Sequence, residues 1–442
     1  MEKSRKTKWI ILAILIELLL ALVFYQGISR HALMESELLG VIILMLLLIP
    51  VLLVTLMAAV MGKEREIPAP TAQPEQAEVP EEQRERFCML TAIDRNRLQY
   101  LNAPVDPCPS LQELCENFRN FAASRMNLYY RPEDIRQFIA GMAVSKILIL
   151  QGMSGTGKTS LAHAIGAYMD NPSTVIPVQP MWKERTDLVG YYNEFTRRFN
   201  ETLLLEKMYE ANYSRSIYIT VLDEMNIARV EYYFAEFLSL LELPHPEERF
   251  LEVVSDQWDN DPRQLVDGRI QLPNNMWFVG TANNDDSTFA ISDKVYDRAM
   301  ILNLDSKSQP FTAPTTPQLH LSAAAFQKLA EQAVATYELS SRNRQRLKEL
   351  DKYLIDHFHI TFGNRIMKQI TTYIPVYVAC GGDELEALDD ILAKKVIRKL
   401  ETQNPIYLRS AADDLVNFMD ELFGANHMTV CKESIRSILR NA

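Results

Sequence analysis

The segment Gly152-Met153-Ser154-Gly155-Thr156-Gly157-Lys158-Thr159 constrains this chain more than any other, because it dictates what must stand on either side of it. It fits the pattern G-x-x-x-x-G-K-T. The apolar run Ile147-Leu148-Ile149-Leu150 precedes it, and a helical pattern from Ser160 to Tyr168 follows. Strand, glycine-rich loop and helix in that order are the frame such a loop requires. The glycines let backbone N–H groups curl around phosphate oxygens at a helix N-terminus, where the dipole favours anions. Residues Gly152 to Ser160 are thus the candidate phosphate cradle. Lys158 offers a point charge to β- and γ-phosphates, and Thr159 offers its hydroxyl to Mg²⁺. The expected ligand is a nucleoside triphosphate, ATP or GTP, with Mg²⁺.

Such a loop needs a second half, a buried strand ending in acids. Ser216 to Leu222 is apolar and β-rich and runs into Asp223-Glu224. Alone, an Asp-Glu pair after a strand is usually a solvated turn. Beside the phosphate loop, Asp223 reads as the Mg²⁺ partner acting through water, and Glu224 as the group polarising the attacking water. A third strand, Met276 to Thr281, ends in Ala282-Asn283-Asn284, and Asn283 can sit between that water and the γ-phosphate. Arg298 follows Asp297 and precedes the apolar run Ala299 to Leu304. It reads either as a surface salt bridge or, in this order of landmarks, as a cation aimed at a neighbouring subunit's γ-phosphate.

The first sixty residues are of another kind. Trp9 to Ile28 and Val41 to Met61 are apolar runs, each about the 20 residues a helix needs to cross a bilayer. The first is too long for a cleaved signal peptide and the second follows at once, so two retained spans are expected. Four cations precede the first span, and Lys63 and Arg65 follow the second. The positive-inside rule places both ends of the chain in the cytoplasm, at the cell membrane. Glu17 lies mid-span, where a charge is costly and marks either a function or a hydrogen bond within the hairpin or an oligomer.

Residues 1–62 carry five cations (Lys3, Arg5, Lys6, Lys8, Arg30) against Glu2, Glu17, Glu35 and Glu37, so the rest of a chain of net charge −11 carries −12. That balance argues against a general nucleic-acid binder, which needs a basic face. Five scattered cysteines without a Cys-x-x-Cys exclude a disulfide framework and fit a reducing compartment. The organisation expected is a membrane hairpin over 1–62, a Pro/Glu-rich tether over 63–86, and a helical segment over 87–142. A nucleotide-binding α/β core over 143–310 and a helical lid with C-terminal helices over 311–442 complete it.

These landmarks in this order resemble the AAA+ ATPases, over roughly Ala143 to Leu400. Within that group, Met181 to Asn193 is similar to the stretch after the second strand of McrB-like proteins, the NTPase subunits of modification-dependent restriction systems. Asp223-Glu224-Met225-Asn226-Ile227-Ala228 resembles their extended Walker B, Asp-Glu-Ile-Asn-Arg-Ala. Gly280-Thr281-Ala282-Asn283 matches their Gly-Thr-Met-Asn sensor 1. Phe362-Gly363-Asn364-Arg365 looks like the start of a sensor-2 helix, which makes Arg365 a further catalytic candidate, and Leu392 to Leu400 is similar to a lid segment. The resemblance implies a five-stranded parallel sheet with a helical lid. It also implies nucleotide at the subunit interfaces of a homo-oligomeric ring, commonly a hexamer, and a β-hairpin insertion between Phe250 and Pro273. Three departures stand out. Asn284-Asp285-Asp286 replaces Thr-Ala-Asp after sensor 1, leaving ATP against GTP open. Asp297-Arg298-Ala299 replaces an Arg-Arg-Arg finger region. A membrane hairpin and tether stand where McrB carries a DNA-reading domain.

Two functions compete. One is a membrane-anchored motor whose hydrolysis remodels a protein partner or drives a separately encoded effector, in a McrB-like defence system. The other is a nucleotide-gated membrane scaffold that recruits cytosolic partners and hydrolyses slowly as a timer. Trp182, Tyr191 and Tyr192 read either as aromatics that grip a threaded partner or as packing between subdomains.

Overall fold

The computed structural model describes residues 85–441 apart from 284–287 and 306–307. The two apolar runs, Glu17, the tether up to residue 84 and the stretch Asn284-Asp285-Asp286 lie outside the described residues. No helix among the described residues is long and apolar enough to cross a membrane.

Helices α1 (Met89–Arg95), α2 (Arg97–Leu101), α3 (Leu111–Met126) and α4 (Pro132–Val144) lead into β1 (Ile147–Gly152). A Ser110–Glu113 capping box opens α3, and Pro132 occupies the first turn of α4, where its missing N–H costs nothing. Then come α5 (Lys158–Tyr168), β2 (Thr174–Pro177), α6 (Arg185–Val189), the hairpin β3 (Gly190–Asn193) and β4 (Arg198–Glu201), and α7 (Leu203–Tyr213). Next are β5 (Tyr218–Asp223), α8 (Val230–Tyr233), α9 (Ala235–Leu240), β6 (Phe250–Glu252), β7 (Leu265–Val266), β8 (Arg269–Gln271) and β9 (Met276–Asn283). After α10 (Asp293–Tyr296) and β10 (Met300–Asn303) only helices follow: α11 (Ala323–Thr336), α12 (Ser341–Phe358), α13 (Gly363–Ala379), α14 (Glu384–Lys395), α15 (Pro405–Phe423) and α16 (Thr429–Asn441).

The main sheet is parallel in the order β10-β1-β9-β5-β2. Helices cover both faces, so its strands read as unbroken apolar runs rather than alternating ones. Successive side chains still part to opposite sides. Leu148 and Leu150 join the core shared with α3, α4, α5 and the C-terminal helices, while Ile147 and Ile149 join the core under α1, α7 and α9. This order sets β1, β9 and β5 side by side and brings Gly152, Asn283 and Asp223 to one edge of the sheet. Ligands of open α/β sheets bind at that carboxyl edge.

The insertion between β5 and β9 is a three-stranded antiparallel sheet, β6-β8-β7, where the resemblance implied a hairpin. Its β7–β8 turn is Asp267-Gly268, both with positive φ, the geometry that matches strand twist in a two-residue turn. Arg86, the last residue of the expected tether, is buried against this insertion. It forks onto Asp261 at 2.7 and 2.6 Å, pairs with Asp256 at 3.1 Å, and stacks 4.4 Å from the Trp258 ring.

Candidate functional site

The loop after β1 is held open by its glycines. Gly152 has φ 142°, and a Cβ there would meet the Leu304 carbonyl oxygen at 2.5 Å, so no larger residue fits the turn. Met153, Ser154 and Gly155 crown the loop and are exposed, whereas Lys158 is buried beneath it. Lys158 Nζ donates to the carbonyls of Gly152 and Met153 at 2.9 and 2.8 Å, which fixes the ammonium under the crown. Thr156 Oγ1 donates to the Met153 carbonyl at 3.0 Å, and Ser160 is half-buried in the first turn of α5. Tyr130, which the sequence reading did not single out, is buried with its hydroxyl 3.4 Å from the Gly157 carbonyl. Burial pushes that phenol well above its usual range, so it stays a neutral donor.

The acids meet this loop through hydroxyl groups. Thr159 Oγ1 donates to Asp223 Oδ1 at 2.8 Å, and Thr281 Oγ1 donates to the same oxygen at 2.8 Å. Thr281 Oγ1 in turn accepts the Glu224 N–H at 2.9 Å. Thr281, from the middle strand β9, thus fixes both acids, a role that the sequence reading did not assign to any residue. Glu224 leaves the strand at φ 52°, in the left-handed region, and is exposed. A non-glycine residue held there costs of order 1 kcal/mol, a strain that clusters at functional sites. Asn283 is the last residue of β9 and pairs in register with Gly152; its carbonyl accepts from Asn226 Nδ2 at 2.9 Å. The tight seat of Met225 over β9 requires Gly280, where a Cβ would lie 1.9 Å from the Met225 sulfur.

Thr159 and Asp223 are hard oxygen donors 2.8 Å apart beside a phosphate-type loop, the donor chemistry that Mg²⁺ takes. Among the described residues no cluster of three or more His, Cys, Asp or Glu side chains forms a separate metal site.

The two arginines stand elsewhere. Leu148 pairs with Met300, and Ser145 Oγ donates to the Arg298 carbonyl at 2.7 Å, so Arg298 is level with the start of β1. At about 3.3 Å per residue, that is about 20 Å from Gly152 along the strand, beyond one side chain's reach. Arg365, in the first turn of α13, shares the Glu242 carboxylate with Arg298: each guanidinium bonds its own oxygen. Arg298 NH1 also donates to the Lys294 carbonyl at 2.7 Å. Arg298, expected either as a surface salt bridge or as a cation aimed at a neighbouring subunit, and Arg365, expected as a further catalytic candidate, meet each other on Glu242 at the end of the sheet opposite Lys158 and Glu224.

The backbone carrying Arg298 is gripped on every side. Lys395 of α14 donates to the carbonyls of Tyr296 (2.7 Å) and Ala299, Gln369 of α13 to that of Asp297 at 3.1 Å, and Ser145 to that of Arg298. Burial pushes the Lys395 ammonium down to about 7. Gln151, one residue before the phosphate loop, donates to the Tyr296 hydroxyl.

Of the aromatics after β2, Trp182 packs edge-on against buried Tyr233 and Tyr192 against Trp258, so both serve packing. Tyr191 is half-exposed. The fully exposed aromatic is Phe195, at the tip of the β3–β4 hairpin, where Asn193 Oδ1 accepts from the N–H groups of Phe195 and Thr196.

Residues 147–299 match the AAA domain (dynein-related subfamily), and residues 315–442 match the Domain of unknown function (DUF8727). The α/β core is therefore an AAA+ nucleotide-binding domain of an ATPase. No curated protein matches the chain. Among solved structures, a "putative ATPase" from Cytophaga hutchinsonii ATCC 33406 is similar over 80% of this chain and 98% of its own, at 15% identity and TM-score 0.39. A full-length MCM homolog from Methanopyrus kandleri is similar over 65% of this chain at 13% identity and TM-score 0.39. The match spans 62% of that homolog's length.

Proposed function

We propose that this chain is a membrane-anchored AAA+ ATPase working as a ring of copies, in which each phosphate loop is completed by Arg298 and Arg365 of a neighbour. The observation that carries the reading is the separation of the two half-sites. Lys158, Thr159, Asp223, Glu224 and Asn283 gather at one end of the sheet, and both arginines sit about 20 Å away at the other. That separation supports a site completed by arginines of a second copy.

Within one copy, the loop N–H groups and the α5 N-terminus hold the phosphates, and Lys158 turns its ammonium from the loop carbonyls to the β- and γ-phosphate oxygens. Bound Mg²⁺ supplies charge neutralisation there, with Thr159 Oγ1 and Asp223 as its oxygen partners. Glu224, fixed through its N–H on Thr281, orients the attacking water and takes its proton, while Asn283 orients that water from the next strand. The guanidiniums of the neighbour neutralise charge developing on the transferred phosphoryl group.

The apolar runs at 9–28 and 41–61 support a membrane hairpin with the ATPase core on the cytoplasmic side. The exposed Phe195 tip supports contact with a protein partner, and the McrB-like motifs support a separately encoded effector in a defence setting.

Full-length protein in nanodiscs, assayed for ATP and GTP hydrolysis against protein concentration, tests this. Specific activity should climb with concentration and collapse in Arg298→Ala, and the better nucleotide is read from the same curves. Slow turnover, flat in concentration and indifferent to Arg298→Ala, would instead favour the nucleotide-gated scaffold.

A further inference from the structure

Resting on the ring reading, we propose that Glu242 is a positioning residue: it gathers Arg298 from the α/β core and Arg365 from the helical lid into one two-guanidinium receptor. The ligand of that receptor is the terminal phosphate of a nucleoside triphosphate held by a second copy. Glu242 lies just after α9 in a stretch with no nucleotide-binding motif, yet its two carboxylate oxygens each take one guanidinium. Two guanidiniums repel when brought together, and a shared carboxylate is what lets cations from separate subdomains stand at one point.

Three observations favour a receptor over a self-satisfied salt bridge. The cluster keeps a net positive charge, since one carboxylate serves two cations. It opens onto a groove of about 1530 Å³ lined by six basic side chains, among them Arg215, Arg249 and Lys368, against Glu242 and Glu331. Donors also remain: Arg298 spends NH1 on Lys294 and NH2 on Glu242, leaving its buried Nε–H without an acceptor. A planar guanidinium with N–H groups to spare suits a phosphate oxygen. Because Arg365 rides on α13, the receptor is complete only when the lid brings it to Glu242, which couples lid position in one copy to catalysis in the next.

The test uses full-length chains in nanodiscs and two variants that each lack one half-site. Glu224→Gln supplies arginines but cannot hydrolyse; Arg298→Ala keeps the hydrolytic half-site but supplies no finger, so each alone is nearly inactive. Mixed, they should regain activity. Adding Glu242→Gln to the Glu224→Gln supplier should cut the regained kcat by about 10- to 100-fold, with the ATP KM and the supplier's melting temperature unchanged. Glu242→Asp in the supplier, which keeps the charge, should recover part of that loss. A Glu242→Gln supplier that rescues as well as its parent, or better, overturns the positioning role. Failure of the two parent variants to complement overturns the ring reading itself, and this proposal with it.

Discussion

The two ends of the central sheet are built on opposite plans. At the carboxyl end, Thr159, Thr281, Asp223 and the Glu224 N–H form a net of short hydrogen bonds across two neighbouring strands, β5 and β9, and the first turn of α5. At the amino end, Arg298 and Arg365 come from different subdomains and meet only at Glu242, over an open groove. The first end is finished within one chain, and the second is a surface that needs something to act on. That asymmetry is what a head-to-tail assembly uses, one finished half-site meeting the complementary half of the next copy.

Breaking either end should stop turnover, but in distinguishable ways. Glu224→Gln should lower kcat by about 10²- to 10⁴-fold at every protein concentration while leaving nucleotide binding intact. Arg298→Ala should cost about 10³-fold or more, measured where wild-type specific activity has saturated, and leave a slow residue that no longer rises with concentration. If both variants lose activity identically across the titration, the two ends do not belong to different copies.

A smaller effect sharpens the picture of the closed end. Thr281 is 2% exposed and serves as donor to Asp223 and acceptor from the Glu224 N–H. Thr281→Val keeps the shape but strands a backbone donor, which should cost about 1–3 kcal/mol of stability. Hydrolysis should fall about tenfold as Glu224 loses its fixed direction, a misplacement effect on kcat. Equilibrium unfolding and steady-state kinetics on one preparation read both, and unchanged kcat would show that Thr281 does not hold the acids.

The same asymmetry governs how much the sequence revealed. The phosphate loop and Asp223-Glu224 were legible because their chemistry lies in contiguous segments whose spacing is set by local backbone geometry. The five-stranded parallel sheet was implied by the resemblance, but its strand order shows only in the fold, and the two apolar runs near the start stand out from hydropathy but lie outside the described residues. Glu242 was not legible, since nothing in Leu241-Glu242-Leu243 marks it until α13 folds back to deliver Arg365. Arg365 could be placed at a helix start, but which nucleotide it faces is a property of tertiary packing. Trp182 and Tyr192 were ambiguous because an aromatic after a strand looks the same whether it packs or projects. Phe195 was overlooked because its polar neighbours, Glu194, Thr196 and Arg197, hide a hairpin whose turn is organised by the Asn193 side chain.

The mildest intervention tests how firmly the amino end is held. Lys395 is 2% exposed and pins the carbonyls on either side of Asp297 and Arg298. Burial lowers it to about 7, against an ordinary value near 10.4. Between those two values the unfolded chain keeps the proton and the folded chain does not. Raising the pH from about 7 therefore adds stability, by up to about 1.4 kcal/mol per pH unit, until the unfolded lysine also titrates. Below pH 7 both states are protonated and the full cost of the buried charge is present. Lys146, also lowered to about 7 by burial, contributes in the same direction. Lys395→Met should remove only the Lys395 share, so the stability difference between wild type and variant should shift towards wild type as the pH rises from 7 to 9. Chemical unfolding at three pH values measures it, and parallel wild-type and variant curves would mean that Lys395 stays charged among its carbonyls. In that event the backbone behind Arg298 is held by a full ammonium, and the receptor end is more rigid than a neutral amine would make it.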